Sequence, residues 1–317
     1  MRILLTSDWH IRLKNPRYRI DDFYQTLMGK LTWLFELAKK ENCKAILQGG
    51  DFFDSPDQTN YVIIDLINLF DSYEIPIHTV AGQHDLKHRQ FSNTTLAIFK
   101  TFGCVNILDG ELKTNTCIPC IDSSGSYNVN IYGSSWEEEV PIPEDKDALN
   151  ILVIHKMIVK DSPLWAEQSG YTEADTFLNK HKHFSLVVSG DNHQSFICTN
   201  NRGQILINSG SLMRTTIAQR EHSPCVYIYD SESRKVKRFQ IPIKPIEEVM
   251  DLETADEQKE RNAALEEFMS GLSIEYRSDL SFEENLQNVI VVNKTDDVIS
   301  NIIQSFLVKW HDKNGGK

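Results

Sequence analysis

The chain of 317 residues is 40% hydrophobic and 25% charged, with a net charge of -12, long enough to bury the core of one large domain and carry a smaller appendage. No apolar stretch approaches the roughly 20 residues that cross a bilayer, and the N-terminal MRILLTSDWH, with its short apolar run, reads as a strand and not a signal peptide. The six cysteines are scattered and several lie inside apolar runs, which argues against a disulfide framework and for reduced thiols in the cytoplasm; Cys117 and Cys120 make a C-x-x-C with no second pair, a weak signal for zinc or redox chemistry.

In chain order, Arg2 to Thr6 (RILLT) is the first strand and leads to Asp8 and His10. Ile20 to Glu41 carries Phe23, Leu27, Leu31, Leu34, Phe35 and Ala38 at helical spacing, a crossover helix with one face inward. It feeds the stretch AILQGGDFFD (Ala45 to Asp54). There a short apolar run delivers Asp51 where a strand ends, and Gly49 and Gly50 let backbone and ligand approach closely. Tyr61 to Ser72 is a second helix, and Pro76 to Val80 a third strand leading to Gln83, His84 and Asp85. This β-α-β-α-β alternation predicts parallel strands with right-handed crossovers.

Thr94 to Phe102 reads as a short helix. The runs Val105 to Leu108, Ile118 to Ile121 and Val129 to Tyr132 alternate with Gly, Ser and Asn and are expected to be antiparallel strands. Ile151 to Ile154 leads to His155. The connector from Lys156 to His183, with Trp165 and Tyr171, reads as a loop, either partly packed or facing substrate. Phe184 to Val188 then leads to Asp191 and His193. Hairpins follow at Phe196 to Asn208 and Cys225 to Ile241, separated by the loop NSGSLMR, and Pro242 and Pro245 close the sheet region. From residue 245 the pattern is charged and helical, at Glu257 to Met269, Phe282 to Gln287 and Val298 to Trp310.

Five apolar runs therefore end in groups of metal-ligand type. One such ending is usually a cap or a turn, but five from one chain point to a polynuclear metal site. Asp, His and amide oxygens suit Mn²⁺, Fe²⁺ or Zn²⁺ better than Ca²⁺ or a structural thiolate site. A bridging carboxylate fits two ions about 3.5 Å apart that act on opposite oxygens of a phosphate ester.

The ordered set DWH (Asp8 to His10), GDFFD (Gly50 to Asp54), GQHD (Gly82 to Asp85), His155 and GDNH (Gly190 to His193) resembles the calcineurin-like metallophosphoesterases. Within them it is most similar to SbcD-type nuclease subunits, especially phage-encoded ones. The resemblance implies an α/β (α+β) fold, a β-sandwich flanked by helices with a small helical C-terminal appendage. It divides the chain into a nuclease domain, 1–244, and an acidic C-terminal region, 245–317. It implies two divalent metal ions, with Mn²⁺ expected. The first would be held by Asp8, His10, Asp51 and His193, the second by Asp51, Gln83, His155 and Asp191. Gln83 stands where the family has Asn, and Asp191 where it usually has His. His84 matches the position that contacts the scissile phosphate and helps the leaving oxygen depart, with Asp85 orienting its ring, and Asp54 a position that shapes the cleft.

The same resemblance implies a DNA substrate, an SbcC-like ATPase partner and a cytoplasmic setting, the host cytoplasm for a phage-encoded chain, and it is compatible with a homodimer. Net acidity opposes DNA binding, but residues 245–317 hold 7 Lys+Arg against 16 Asp+Glu, leaving 26 against 29 for residues 1–244. The apolar stripe of Ile299, Ile302, Ile303, Phe306, Leu307 and Trp310 either packs on its own domain or grips the ATPase. Two rival readings are a phosphomonoesterase or cyclic-nucleotide phosphodiesterase, and a non-catalytic scaffold. Phosphoprotein phosphatases of this fold carry GD-x-x-DRG and GNHE, whereas here Ser55 and Pro56 follow Asp54, and Asp85 follows His84. Every ligand position holds a competent ligand type, which argues against the scaffold.

Overall fold

The computed structural model describes residues 1–108, 116–122, 125–146, 148–164 and 167–272, with single helical positions at 290, 301 and 305. Trp165 and the expected helices at Phe282 to Gln287 and Val298 to Trp310 lie outside the described residues, those single positions apart. The chain divides into two compact units, Met1–Met250 and Asp251–Lys317. No helix among the described residues is long and apolar enough to cross a membrane.

The first unit opens with β1 (Arg2–Thr6), α1 (Phe23–Lys40), β2 (Cys43–Gln48), α2 (Asn60–Tyr73), β3 (Ile77–Thr79), α3 (Thr95–Thr101) and β4 (Asn106–Ile107). It continues through β5 (Thr116–Asp122), β6 (Gly125–Ser134), β7 (Leu149–His155), β8 (Ile158–Val159), β9 (Thr172–Glu173) and α4 (Ala174–Lys180). Then come β10 (Leu186–Gly190), β11 (Phe196–Thr199), β12 (Ile205–Asn208), β13 (Cys225–Asp230) and β14 (Lys235–Gln240). The second unit contains α5 (Leu252–Leu272).

Local chemistry sets the helix limits. Asp22 caps α1 by accepting from the Gln25 N–H at 3.0 Å, so the helix starts at Phe23 and not at Ile20, and Lys39 and Lys40 sit at its negative end. Glu74, in the left-handed conformation, stops α2 two residues before Pro76.

The strands form two six-stranded sheets, β14-β13-β1-β2-β3-β4 and β11-β12-β10-β7-β6-β5. Their alternation makes a sandwich: Ile3, Leu5, Ala45 and Leu47 pack with Ile151, Val153, Leu186 and Val188 between the sheets. Leu4 and Ile46 point the other way, into a core with Leu27, Leu31 and Leu34 of α1 and Leu66 and Phe70 of α2. Leu152 and Val187 pack with Phe177 and Leu178 of α4 on the outer side of the second sheet. Each fully buried side chain of this kind contributes about 1.5–3 kcal/mol.

Strands β1, β2, β3 and β4 are mutually parallel, as are β6, β7, β10 and β12. This corrects the expected antiparallel run. Only β5 pairs antiparallel with β6, while β4 runs parallel to β3 and β6 parallel to β7. The connector after His155 is also not a plain loop, since it holds β8, β9 and α4. The parallel core strands carry their carboxyl ends, and the Asp and His residues that follow, to one edge of each sheet.

Candidate metal centre

Past the ends of β1 and β2 the two chains keep pairing. Asp8 N donates to Gly50 O at 3.2 Å, His10 N to Asp51 O at 3.0 Å and Ile11 N to Phe52 O at 3.0 Å. This lock holds Asp8, His10 and Asp51 with φ of 47°, 45° and 49°, and Asp191, whose N–H donates to Asp8 Oδ1, has a φ of 81°. Left-handed backbone at a residue with a side chain costs about 1–3 kcal/mol, and it gathers where the surroundings over-determine it, commonly at functional sites. Two glycines permit the close approach of the loops. A methyl group at Gly82 would overlap Asp51, and one at Gly50, whose φ is 92°, would overlap the His155 ring.

The carboxylates share one design. Asp8 Oδ1 accepts from Asp191 N at 2.9 Å and Asp51 Oδ1 from His84 N at 3.0 Å. Their second oxygens, Asp8 Oδ2 and Asp51 Oδ2, are buried without a hydrogen-bond partner, as is His10 Nδ1. Buried polar atoms are normally paired, and three of the four exceptions among the described residues belong to this cluster.

Around Asp51 Oδ2 stand His155 Nε2 at 3.4 Å, His10 Nε2 at 3.6 Å and His84 Nε2 at 4.0 Å. His10 Nε2 faces His193 Nε2 at 3.1 Å. The donor atoms of Asp8, His10 and His193, of His10, Asp51 and His84, and of Asp8, Asp51 and His155 form three groups, each within 4.8 Å. His155 shows what the cluster lacks. Its Nδ1 lies 2.8 Å from the Gly49 carbonyl, which only accepts, so Nδ1 carries the hydrogen. In the neutral ring Nε2 is then a lone pair, yet it faces Gln83 Oε1 at 2.8 Å and Asp51 Oδ2 at 3.4 Å. A proton or a cation must stand among these acceptors, and a ring whose other nitrogen donates to a backbone carbonyl is the usual metal-binding histidine.

The electrostatics agree. Burial opposes a proton on His155, but Asp51, Asp8 and Asp191 outweigh it and push the ring up to about 10. Burial would raise Asp51, yet His155, His10 and His84 hold it below the usual carboxylate range. Burial pushes Asp8 up to about 8, against the pull of His155 and with the push of Asp51. Burial drives His10 down to about 3 and lowers His193, leaving both rings neutral and able to ligate. The donor set and its unpartnered atoms fit divalent cations.

The sequence-predicted residues do not all converge in the same way. Gln83 reaches the cluster with its amide oxygen, and its Nε2 donates to Asp191 Oδ1 at 3.0 Å. Asp191 itself joins none of the three groups. Asp85 does not orient the His84 ring, which corrects that expectation. Its oxygens accept from Phe52 N at 3.1 Å, Phe53 N at 2.9 Å and Gly82 N at 2.9 Å, tying the loop after β3 to the loop after β2. Burial and Asp51 push the Asp85 carboxyl up to about 7. The partner of His84 is the Asp54 carbonyl, 3.0 Å from Nδ1, and Nε2 of this half-exposed ring lies 4.0 Å from Asp51 Oδ2. Asp54 also pairs with Arg12 at 2.8 Å.

One residue was missed. Gln219 Oε1 accepts from Thr215 N at 2.7 Å and Thr216 N at 3.1 Å, and its Nε2 reaches Ser211 Oγ at 3.0 Å and His193 Nδ1 at 3.4 Å. Its signal was the T-x-x-Q capping box from Thr216.

Comparison with known proteins agrees with this geometry. The calcineurin-like phosphoesterase family matches residues 1–195. The double-strand break repair protein MRE11 of Encephalitozoon cuniculi is 24% identical over 271 residues, covering 72% of this chain and 45% of its own length. The DNA double-strand break repair protein Mre11 of Sulfolobus acidocaldarius is 27% identical over 175 residues, covering 50% and 42%. The chain thus spans less than half the length of either relative. A dimetal phosphatase from Danio rerio superposes with a TM-score of 0.47 at 12% identity, over 77% of this chain and 99% of that one. With the family matched over residues 1–195, more than half of its length, the chain belongs to the calcineurin-like phosphoesterases.

Proposed function

We propose that this chain is a dinuclear-metal DNA nuclease, the nuclease subunit of an SbcCD-like repair complex. One observation carries the reading: Asp51 Oδ2 is buried, has no hydrogen-bond partner and stands 3.6 Å and 3.4 Å from the ring nitrogens of His10 and His155. Asp8, His10, Asp51 and His193 would hold one ion. Asp51, Gln83 and His155 would hold the other, with Asp191 orienting the Gln83 amide. The mixed set of carboxylate, imidazole and amide oxygen suits Mn²⁺, Fe²⁺ or Zn²⁺, and the family resemblance points to Mn²⁺. When bound, the ions polarise the phosphate and lower the pKa of the attacking water.

The chain's own groups do the rest. Asp85 fixes Gln83 and His84 against Asp51 by tying their loops together. His84, 44% exposed at the side chain, is the member of the cluster that a phosphodiester reaches. Because its Nδ1–H is held by the Asp54 carbonyl, the ring delivers a proton from Nε2 to the leaving oxygen only when it holds both protons. Both curated relatives are named as double-strand break repair proteins, which supports DNA as the substrate class.

The test is incubation with Mn²⁺ and end-labelled linear duplex and single-stranded DNA, beside bis-p-nitrophenyl phosphate. Metal-dependent DNA cleavage is expected. Hydrolysis of the small ester but never of DNA, even with a partner ATPase present, would transfer the assignment to a small-ester phosphoesterase. Deleting the chain from Val298 tests the partner: co-purification with the ATPase should vanish while small-ester hydrolysis remains.

A further inference from the structure

A cleft of about 600 Å³ is lined by Arg19, Asp21, Lys30, Trp33, Arg214 and Lys244 among others, none of them a candidate metal ligand. Three of its cations are more than nine-tenths buried: Arg19 is 7% exposed, Lys30 8% and Arg214 5%. Buried cations need partners, and here only Arg19 has an anionic one, Asp21, at 2.7 and 2.6 Å. A further N–H of Arg19 goes to the Arg214 carbonyl at 3.0 Å. Lys30 Nζ donates to the Leu212 carbonyl at 3.0 Å, and Arg214 Nη2 to the Lys244 carbonyl at 2.6 Å.

Among the described residues neither Lys30 nor Arg214 is within salt-bridge distance of a carboxylate. A guanidinium offers five N–H donors and an ammonium three, so most of the donors of Arg214 and Lys30 are unused by the described residues. The acids nearby offset them only at a distance: Asp21 acts on Lys30 and Arg214, and Glu247 on Arg214, without bonding to either, while Asp22 caps α1.

We propose that this cleft is a phosphate-binding subsite, which takes a phosphoryl group either free or carried on a nucleotide. A tetrahedral oxyanion accepts from several directions at once, as donors from Lys30, Arg214 and the exposed Lys244 require. The volume exceeds that of a lone anion, and Trp33, Pro242 and Ile243 give it an apolar wall. Burial first, then Arg19 and Arg214, push the Lys30 ammonium down to about 7, against the pull of Asp21. The subsite shares no lining residue with the metal cluster and does not depend on the nuclease reading.

The test is calorimetric titration of the metal-loaded full chain with inorganic phosphate and with thymidine 5'-monophosphate. A binding event is expected that survives metal chelation and weakens about tenfold or more in Lys30→Met and Arg214→Gln, with hydrolysis of bis-p-nitrophenyl phosphate unchanged in Lys244→Gln. Tighter binding of the nucleotide than of phosphate supports the subsite and names its source as nucleotide; equal binding supports it and names free phosphate. Lys30→Met loosens the hold on Leu212, so Lys244→Gln, altering an exposed side chain, is the second variant and should show a smaller fall. Phosphate binding that vanishes with the metals, or that is the same in all three variants, overturns the proposal.

Discussion

The metal cluster and the cationic cleft show unmet charge of opposite kinds. In the cluster the surplus is of acceptors: the carboxylate oxygens Asp8 Oδ2 and Asp51 Oδ2 have no donor. In the cleft it is of donors, since among the described residues Lys30 and Arg214 each make one hydrogen bond and no ion pair. A folded chain tolerates such groups at a cost of several kcal/mol per buried ion. The sign of the surplus identifies the class of ligand that would remove it.

The cluster itself has two unlike halves. Around Asp8, His10 and His193 one carboxylate oxygen, Asp8 Oδ2, is open. Around His155 they are chained, from the Gly49 carbonyl through His155 and Gln83 to Asp191. The two departures from the family pattern are thus one feature: the longer Gln83 side chain spans His155 and the carboxylate of Asp191.

The largest effect expected is from Asp51→Asn, which removes the charge shared by both halves. Metal-dependent hydrolysis should be abolished, and calorimetry should find both ions lost; a variant that keeps either ion at full affinity breaks the view of Asp51 as the bridge. His84→Ala should lower kcat by about 10²–10⁴-fold with both ions still bound, and loss of the ions would move His84 from chemistry to coordination. Gln83→Ala should weaken the second ion about 10–100-fold and spare the first. Equal weakening of both would erase the difference between the halves.

Asp191→Asn acts through Gln83 and should cost the second ion about tenfold. In a double-mutant cycle the Gln83→Asn, Asp191→His pair should bind that ion better than the sum of the single changes predicts, and strict additivity would separate the two residues. The smallest effect lies in the cleft. Because the Lys30 ammonium is pushed down to about 7 from 10.5, the unfolded chain binds a proton between those values that the folded chain has released. Stability therefore rises with pH across that window, by at most about 1.4 kcal/mol per unit. Urea unfolding at pH 7, 8 and 9 should show this slope in the wild type and a flatter one in Lys30→Met; identical slopes would mean that Lys30 stays charged.

Much of this was legible in the sequence because β1, β2, β7 and β10 are buried apolar runs that deliver Asp or His at their ends. The helix α4 was not, since Ala174, Phe177 and Leu178 give seven residues only two turns of pattern and no cap. Nor does a motif record where a side chain points. Asp85 adjoins His84 in sequence, yet its carboxylate turns back to Phe52, Phe53 and Gly82. The cleft brings together residues 19, 30 and 214, which no local pattern links. Its one trace was Lys30 itself, a charge set in the buried stripe between Leu27 and Leu34.

The sandwich also acts as a gate on timing. Asp8, Asp51 and Gln83 follow strands of one sheet, His155 and Asp191 those of the other, and β1 is itself flanked by β13, near residue 230. No stretch emerging early in synthesis contains a complete set of donors. A half-made chain therefore lacks a complete set of donors, and the candidate metal centre is assembled only when the two sheets close on each other.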